Sequence, residues 1–142
     1  MGIESSARMQ LPHAELTHDI IGAAIRVHTR LGPGFIESIY KNALCIELRH
    51  GRIPHQREHE VPILYDGSQV GLHRLDLLVA GTIVVELKAI KRLDDMHFAV
   101  VRSYLRAAGL EHGLLMNFSA PTLQVRRAIG SRLEPLPGFL GS

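Results

Sequence analysis

Between residues 15 and 31, apolar side chains recur at Leu16, Ile20, Ala23, Ala24, Val27 and Leu31, the spacing of one helical face. Gly32-Pro33-Gly34 ends that stretch, because proline pushes the residue before it out of helical conformation and glycine accepts a left-handed cap. A second helix is predicted over 35–50, with Ile36, Ile39, Tyr40, Ala43, Leu44 and Leu48 as its stripe and Gly51 as its stop. The period then changes to two. Val61, Ile63 and Tyr65 lead into Asp66-Gly67, a strong turn dipeptide that closes a strand over 58–65. Residues 70–80 and 82–90 read as two further strands on either side of Gly81. Past Asp94-Asp95, which supplies a cap, helical spacing returns over 96–108 and stops at Gly109. The short apolar run at 112–118 suits a buried strand, and alternation at Leu123, Val125 and Arg127 predicts a last one over 122–129.

Three consecutive antiparallel strands followed by a helical crossover imply a mixed central sheet flanked by helices, an α/β architecture. A chain of 142 residues with 46% apolar content suits one such domain, placed at 13–132. Residues 1–12 and 133–142, the latter with Pro135, Pro137, Gly138 and Gly141, read as tails. No repeat or low-complexity stretch divides the chain.

A net charge of +2 and a pI near 9.0 permit a polyanionic partner without demanding one. The cations gather at Lys88, Lys91 and Arg92, and again at Arg102, Arg106, Arg126, Arg127 and Arg132, so a shared face would matter more than the total. Apolar runs such as 77–80 are too short to cross a bilayer, and residues 1–11 lack the pattern of a secretory leader, which makes the cytoplasm the expected compartment. Cys45 is the one cysteine. It can form no internal disulfide, and its place among Leu44, Ile46 and Leu48 reads as a small buried hydrophobe.

The candidate chemistry lies in Val84-Val85-Glu86-Leu87-Lys88-Ala89, where charges interrupt one of the most apolar strands. Period two puts Glu86 and Lys88 on one face and Val85 and Leu87 on the other. Asp76 sits in similar surroundings on the preceding strand, and a carboxylate there is costly unless paired or bound to a metal. The spacing predicts a three-residue loop, Val79-Ala80-Gly81, that pairs Leu78 with Thr82. Asp76 then faces Val84 and lies diagonal to Glu86 on the same face, roughly 7–8 Å away at the backbone. Two hard-oxygen ligands with a lysine beside them are equipment for metal-assisted phosphodiester hydrolysis, with magnesium keeping its remaining waters. On spacing alone, structural Glu86–Lys88 or Asp76–Arg74 pairs at a sheet edge explain the same residues, because the pattern is short and arises by chance.

Gly34-Phe35-Ile36-Glu37-Ser38-Ile39-Tyr40 resembles the signature of the GxxExxY family, assigned to the PD-(D/E)XK nuclease superfamily. The similarity runs in order through Ile21-Gly22-Ala23-Ala24, Val27-His28, Leu31-Gly32-Pro33-Gly34, Tyr65-Asp66-Gly67 and Asp76-Leu77-Leu78-Val79. It continues through Glu86-Leu87-Lys88-Ala89, Tyr104-Leu105 and Gly113-Leu114-Leu115-Met116-Asn117-Phe118, and so covers residues 16–129. The resemblance implies a restriction-endonuclease-like αβββαβ core and a nuclease that uses Mg²⁺ or Mn²⁺. Asp76, Glu86, Glu37 and Leu87 would form the metal set, and Lys88 would act with Glu37, Asp76 and Glu86 in catalysis. Nucleic acid is the implied partner, DNA ahead of RNA. The small footprint of one such domain suggests a homodimer across a duplex.

Glu37 also has a bland explanation, an exposed i,i+4 pair with Lys41. One departure from the family stands out. Val100 occupies the position, four before Tyr104, where members usually carry a glutamine that helps orient the site. That substitution motivates the alternative function, a catalytically weakened module that binds nucleic acid or a protein partner. A hydrolase for some other phosphate ester is a third reading. Arg102 and Arg106 could touch phosphate or simply face solvent. His55 and His59 have zinc-like spacing with no third ligand nearby, and His28 reads as a satisfied buried histidine.

Overall fold

The structure, a computed structural model, describes residues 13–130; the expected tails at 1–12 and 133–142, and Arg132, lie outside the described residues. Helices α1 (His13–Leu31) and α2 (Glu37–His50) come first. Strands β1 (His55–Tyr65), β2 (Ser68–Val79) and β3 (Ile83–Lys88) follow. Helix α3 (Asp95–Ala108) crosses over to β4 (His112–Asn117) and β5 (Gln124–Ile129). The sheet order is β1-β2-β3-β4-β5, with β3 and β4 parallel and the other neighbours antiparallel. The mixed sheet expected from the strand pattern is therefore present, with β1 starting at His55 and β3 stopping at Lys88.

Each face of the sheet has its own apolar layer. Leu77, Val79, Val85, Leu87, Leu114 and Met116 pack with the stripes of α1 and α2. Leu75, Leu78, Val84, Leu115 and Ala128 pack with Val101 and Leu105 of α3. Strand periodicity therefore carries Glu86 and Lys88 to the α3 side with Val84. Cys45 is buried among the first layer, and burial pushes its thiol up, so it packs as a hydrophobe.

Two local devices hold α2 in place. The Tyr40 hydroxyl donates to the Gly32 carbonyl at 2.6 Å and accepts the Phe35 N–H at 3.1 Å, tying the Gly-Pro-Gly bend to the helix it precedes. Its ring stacks on Phe118 at 4.6 Å. Helix α3 starts with a capping box, in which Asp94 accepts from the N–H groups of Met96 and His97 and His97 answers the Asp94 N–H.

The β2–β3 register differs from the expected one. Leu78 pairs with Val84, not Thr82, and Val79 is still in the strand, paired with Ile83. The cause is Ala80, which takes φ 52° alongside Gly81 at φ 67° and lets the Thr82 N–H close onto the Val79 carbonyl at 3.0 Å. A left-handed alanine is unusual. Here it is held by a 2.8 Å bond from its N–H to the Pro54 carbonyl and by burial of its methyl group. The change moves the register by an even step and brings Asp76 level with Glu86 rather than diagonal to it.

Asn117 at the end of β4 is fully buried. Its Oδ1 accepts the N–H groups of Ile90 and Ser119, and its Nδ2 donates to the Ile90 carbonyl and to Gln124 Oε1. The side chain thereby clamps the segment that leaves β3 just after Lys88. Asn117→Ala is expected to destabilise the fold by about 2 kcal/mol, read as a lowered urea midpoint with an unchanged slope, because half-buried main-chain groups of Ile90 lose their partners.

Candidate active site

Asp76 and Glu86 meet where β2 and β3 part. The ladder between these strands runs from Val79–Ile83 to Leu77–Val85. Beyond it, side chains replace main-chain bonds in a reciprocal clasp. The Asp76 N–H donates to Glu86 Oε1 at 3.3 Å, and the Leu87 N–H donates to Asp76 Oδ2 at 2.9 Å. A strand residue directs its N–H and C=O to the same edge, so the Leu87 carbonyl, the only oxygen this residue has, opens on the same gap.

The backbone is irregular on both sides of this point. In β1, Arg57 pairs with Leu77 and His59 with Leu75, while Glu58 between them adopts φ 51°. In β2, Leu75 joins the α3 layer and Leu77 the opposite one, so alternation breaks at Asp76. Irregularities of this kind re-aim side chains and gather at functional sites.

The electrostatics follow from the packing. Glu86 is 6% exposed, and burial together with the neighbouring Asp76 charge pushes its carboxyl up to about 8. Both effects favour the neutral form of Glu86. Lys41 of α2 reaches the cluster from the other side, with Nζ 3.2 Å from Asp76 Oδ1 and 2.5 Å from Glu58 Oε1. These contacts outweigh its desolvation and hold the ammonium above its ordinary range. The bond to Lys41 in turn lowers Glu58.

Lys88 lies two residues beyond Glu86 on the same face, half-buried, and its charge favours ionised Glu86. Tyr104 of α3 is half-buried, with its hydroxyl pushed up by burial and by the nearby Glu86 and Asp76 charges. Its ring meets His73 edge-on at 4.3 Å. A groove between the β1–β2 hairpin and α3 opens beside that pair, with polar groups from His73, Ser103 and Arg106. The basic residues divide between the faces. Arg126 stands over the Phe98 ring of α3 at 6.0 Å, joining Lys88, Arg102 and Arg106 on the α3 side. Arg127 pairs with Leu114, whose side chain belongs to the opposite layer.

Of the residues singled out from sequence, Asp76, Glu86, Leu87 and Lys88 are brought together. Glu37, in the first turn of α2, is half-buried and makes no ion pair among the described residues. The bland pairing of Glu37 with Lys41 is not formed either, because Lys41 is committed to Glu58 and Asp76. Among the described residues, no group of three or more His, Cys, Asp or Glu side chains is placed to hold a metal ion. Two carboxylates nonetheless suit Mg²⁺ or Mn²⁺, which favour oxygen ligands and retain several waters. Sequence reasoning missed Lys41 and Glu58 as site residues and Asn117 as their neighbour's anchor. A polar Asn inside the apolar run 113–118 was the one available signal.

A family model described as the PD-(D/E)XK nuclease superfamily matches residues 14–128. No curated protein and no solved structure matches the chain. Among the described residues no helix is long and apolar enough to cross a membrane.

Proposed function

The chain belongs to the PD-(D/E)XK nuclease superfamily, and on that footing we propose that it is a metal-dependent nuclease hydrolysing nucleic-acid phosphodiester bonds. Its Gly34 to Tyr40 motif supports the further reading that it falls in the GxxExxY branch. The observation that carries the reading is the reciprocal clasp of Asp76 and Glu86, with Lys88 on the same face. Carboxylates seldom sit together at the junction of apolar strands for stability alone, since each raises the cost of ionising the other.

In this reading Asp76 and Glu86, with the Leu87 carbonyl, hold Mg²⁺ or Mn²⁺, and Glu37 is an auxiliary acid on α2. A divalent cation in that gap supplies Lewis-acid polarisation of the phosphoryl group and eases deprotonation of a water. To hold a cation Glu86 would have to be ionised, against the burial and the Asp76 charge that favour its neutral form. Lys88 directs its ammonium at the attacking water or at the negative charge that develops on phosphorus oxygens. Tyr104 lies near both carboxylates, and Arg106 lines the groove beside it on the α3 side of the sheet, where Arg126 also stands and a phosphate backbone finds cations. DNA is the proposed substrate ahead of RNA, a homodimer would widen the footprint, and the cytoplasm is the proposed compartment.

Val100 favours a second reading, in which the site binds nucleic acid or a protein and no longer cuts. One assay separates the two. Labelled single- and double-stranded DNA and RNA are incubated with the protein in Mn²⁺ or in EDTA. Fragments that need Mn²⁺ support the nuclease. Retarded but intact nucleic acid supports the binding module, and neither outcome on any substrate ends the nuclease reading and leaves only a protein partner for the second.

A further inference from the structure

We propose that Lys41 is a positioning residue of this site, one that holds Asp76 in the metal-free protein and contends with the divalent cation for Asp76 Oδ1. The proposal rests on the reading of Asp76 as a metal ligand.

Lys41 is only 13% exposed in its side chain, and Asp76 only 20%, so solvent screens their contact weakly. Both oxygens of Asp76 are engaged, Oδ1 by Lys41 and Oδ2 by the Leu87 N–H. A cation arriving at Asp76 therefore meets an ammonium already in place. An ammonium and a divalent ion on one carboxylate oxygen repel each other, and one has to withdraw. Lys41 has somewhere to go. Its shorter contact is to Glu58, whose left-handed backbone lies across from Asp76 at the break in the β1–β2 pairing. It can release Oδ1 and keep a carboxylate partner. Glu58 thus serves as the second anchor that makes the exchange feasible, and the positive charge of Lys41 sets how tightly the metal is held.

Calorimetric titration of the full chain with MnCl₂ tests this. Lys41→Met is expected to bind Mn²⁺ about 10- to 100-fold more tightly than wild type, because a nearby repelling charge has gone. Lys41→Arg, which keeps the charge, is expected to stay within a few-fold of wild type. Adding Asp76→Asn to Lys41→Met should remove the gain. Metal-free Lys41→Met should melt lower than wild type, with the deficit shrinking when Mn²⁺ is present. A purely structural lysine would leave affinity equal or weaker when removed, and that result overturns the proposal. Should Lys41→Met fail to fold, Lys41→Gln reads the same quantity. Wild-type binding that Asp76→Asn abolishes but Lys41→Met leaves unmoved sinks only the role of Lys41. No Mn²⁺ binding by wild type or by Lys41→Met sinks the ligand assignment as well.

Discussion

Asp76→Asn, purified in parallel with wild type, is expected to cleave nucleic acid at least about a thousandfold more slowly in Mn²⁺ while keeping its fold. A thousandfold corresponds to roughly 4 kcal/mol of lost transition-state stabilisation. Asparagine is nearly isosteric and still offers an oxygen to the Leu87 N–H, and the main-chain bond from residue 76 to Glu86 Oε1 is untouched. Lys41 keeps Glu58 as a partner. What disappears is the carboxylate whose two oxygens meet Lys41 and the Leu87 N–H, the acid proposed here to hold the cation together with Glu86. Single-turnover cleavage measures the rate, and circular dichroism with urea unfolding checks the fold. A variant within tenfold of wild type would mean that cleavage does not pass through this carboxylate.

Much of this site was legible before any coordinates. Period two alone placed Glu86 with Lys88 and apart from Leu87, and the change from helical to strand spacing near residue 58 fixed the order of elements that leads to a restriction-endonuclease-like sheet. The expected meeting of Asp76 and Glu86 is present in a different register, through bonds from each side chain to the opposite main chain. The register itself was hidden by Ala80. Nothing about an alanine announces a left-handed backbone, and here a tertiary hydrogen bond to Pro54 imposes it. Lys41 and Glu58 were hidden for a related reason. They lie 17 residues apart on a helix and a strand, and neither pattern says that an irregular Glu58 will turn its carboxylate toward α2. Glu37 shows the converse. Its role came from resemblance, and α2 brings Lys41, one turn later, to Asp76.

The same protein should show the energetic signature of a carboxyl kept neutral by its surroundings, and Glu86→Gln reveals it. In the unfolded chain a glutamate ionises near 4.3, whereas in the fold burial and Asp76 raise Glu86 to about 8. Between these values the unfolded state has lost the proton that the native state still holds. Stability therefore falls as pH climbs through that window and levels off above the folded value. Glutamine carries no such liability. It keeps an oxygen for the Asp76 N–H and gains an amide donor facing the Asp76 carboxylate. Metal-free Glu86→Gln is expected to be on the order of 5 kcal/mol more stable than wild type at pH 9, roughly 15 °C in Tm, with the gain fading toward zero near pH 4. Saturating Mn²⁺ should reverse the order, because wild type gains stability from the bound ion and the variant does not. Melting curves at several pH values, with and without Mn²⁺, measure both effects. Equal stability at pH 9, or a gain that ignores pH, would show that Glu86 ionises in the fold as readily as in the open chain. The gap between β2 and β3 would then be an ordinary solvated edge that holds no neutral buried carboxyl.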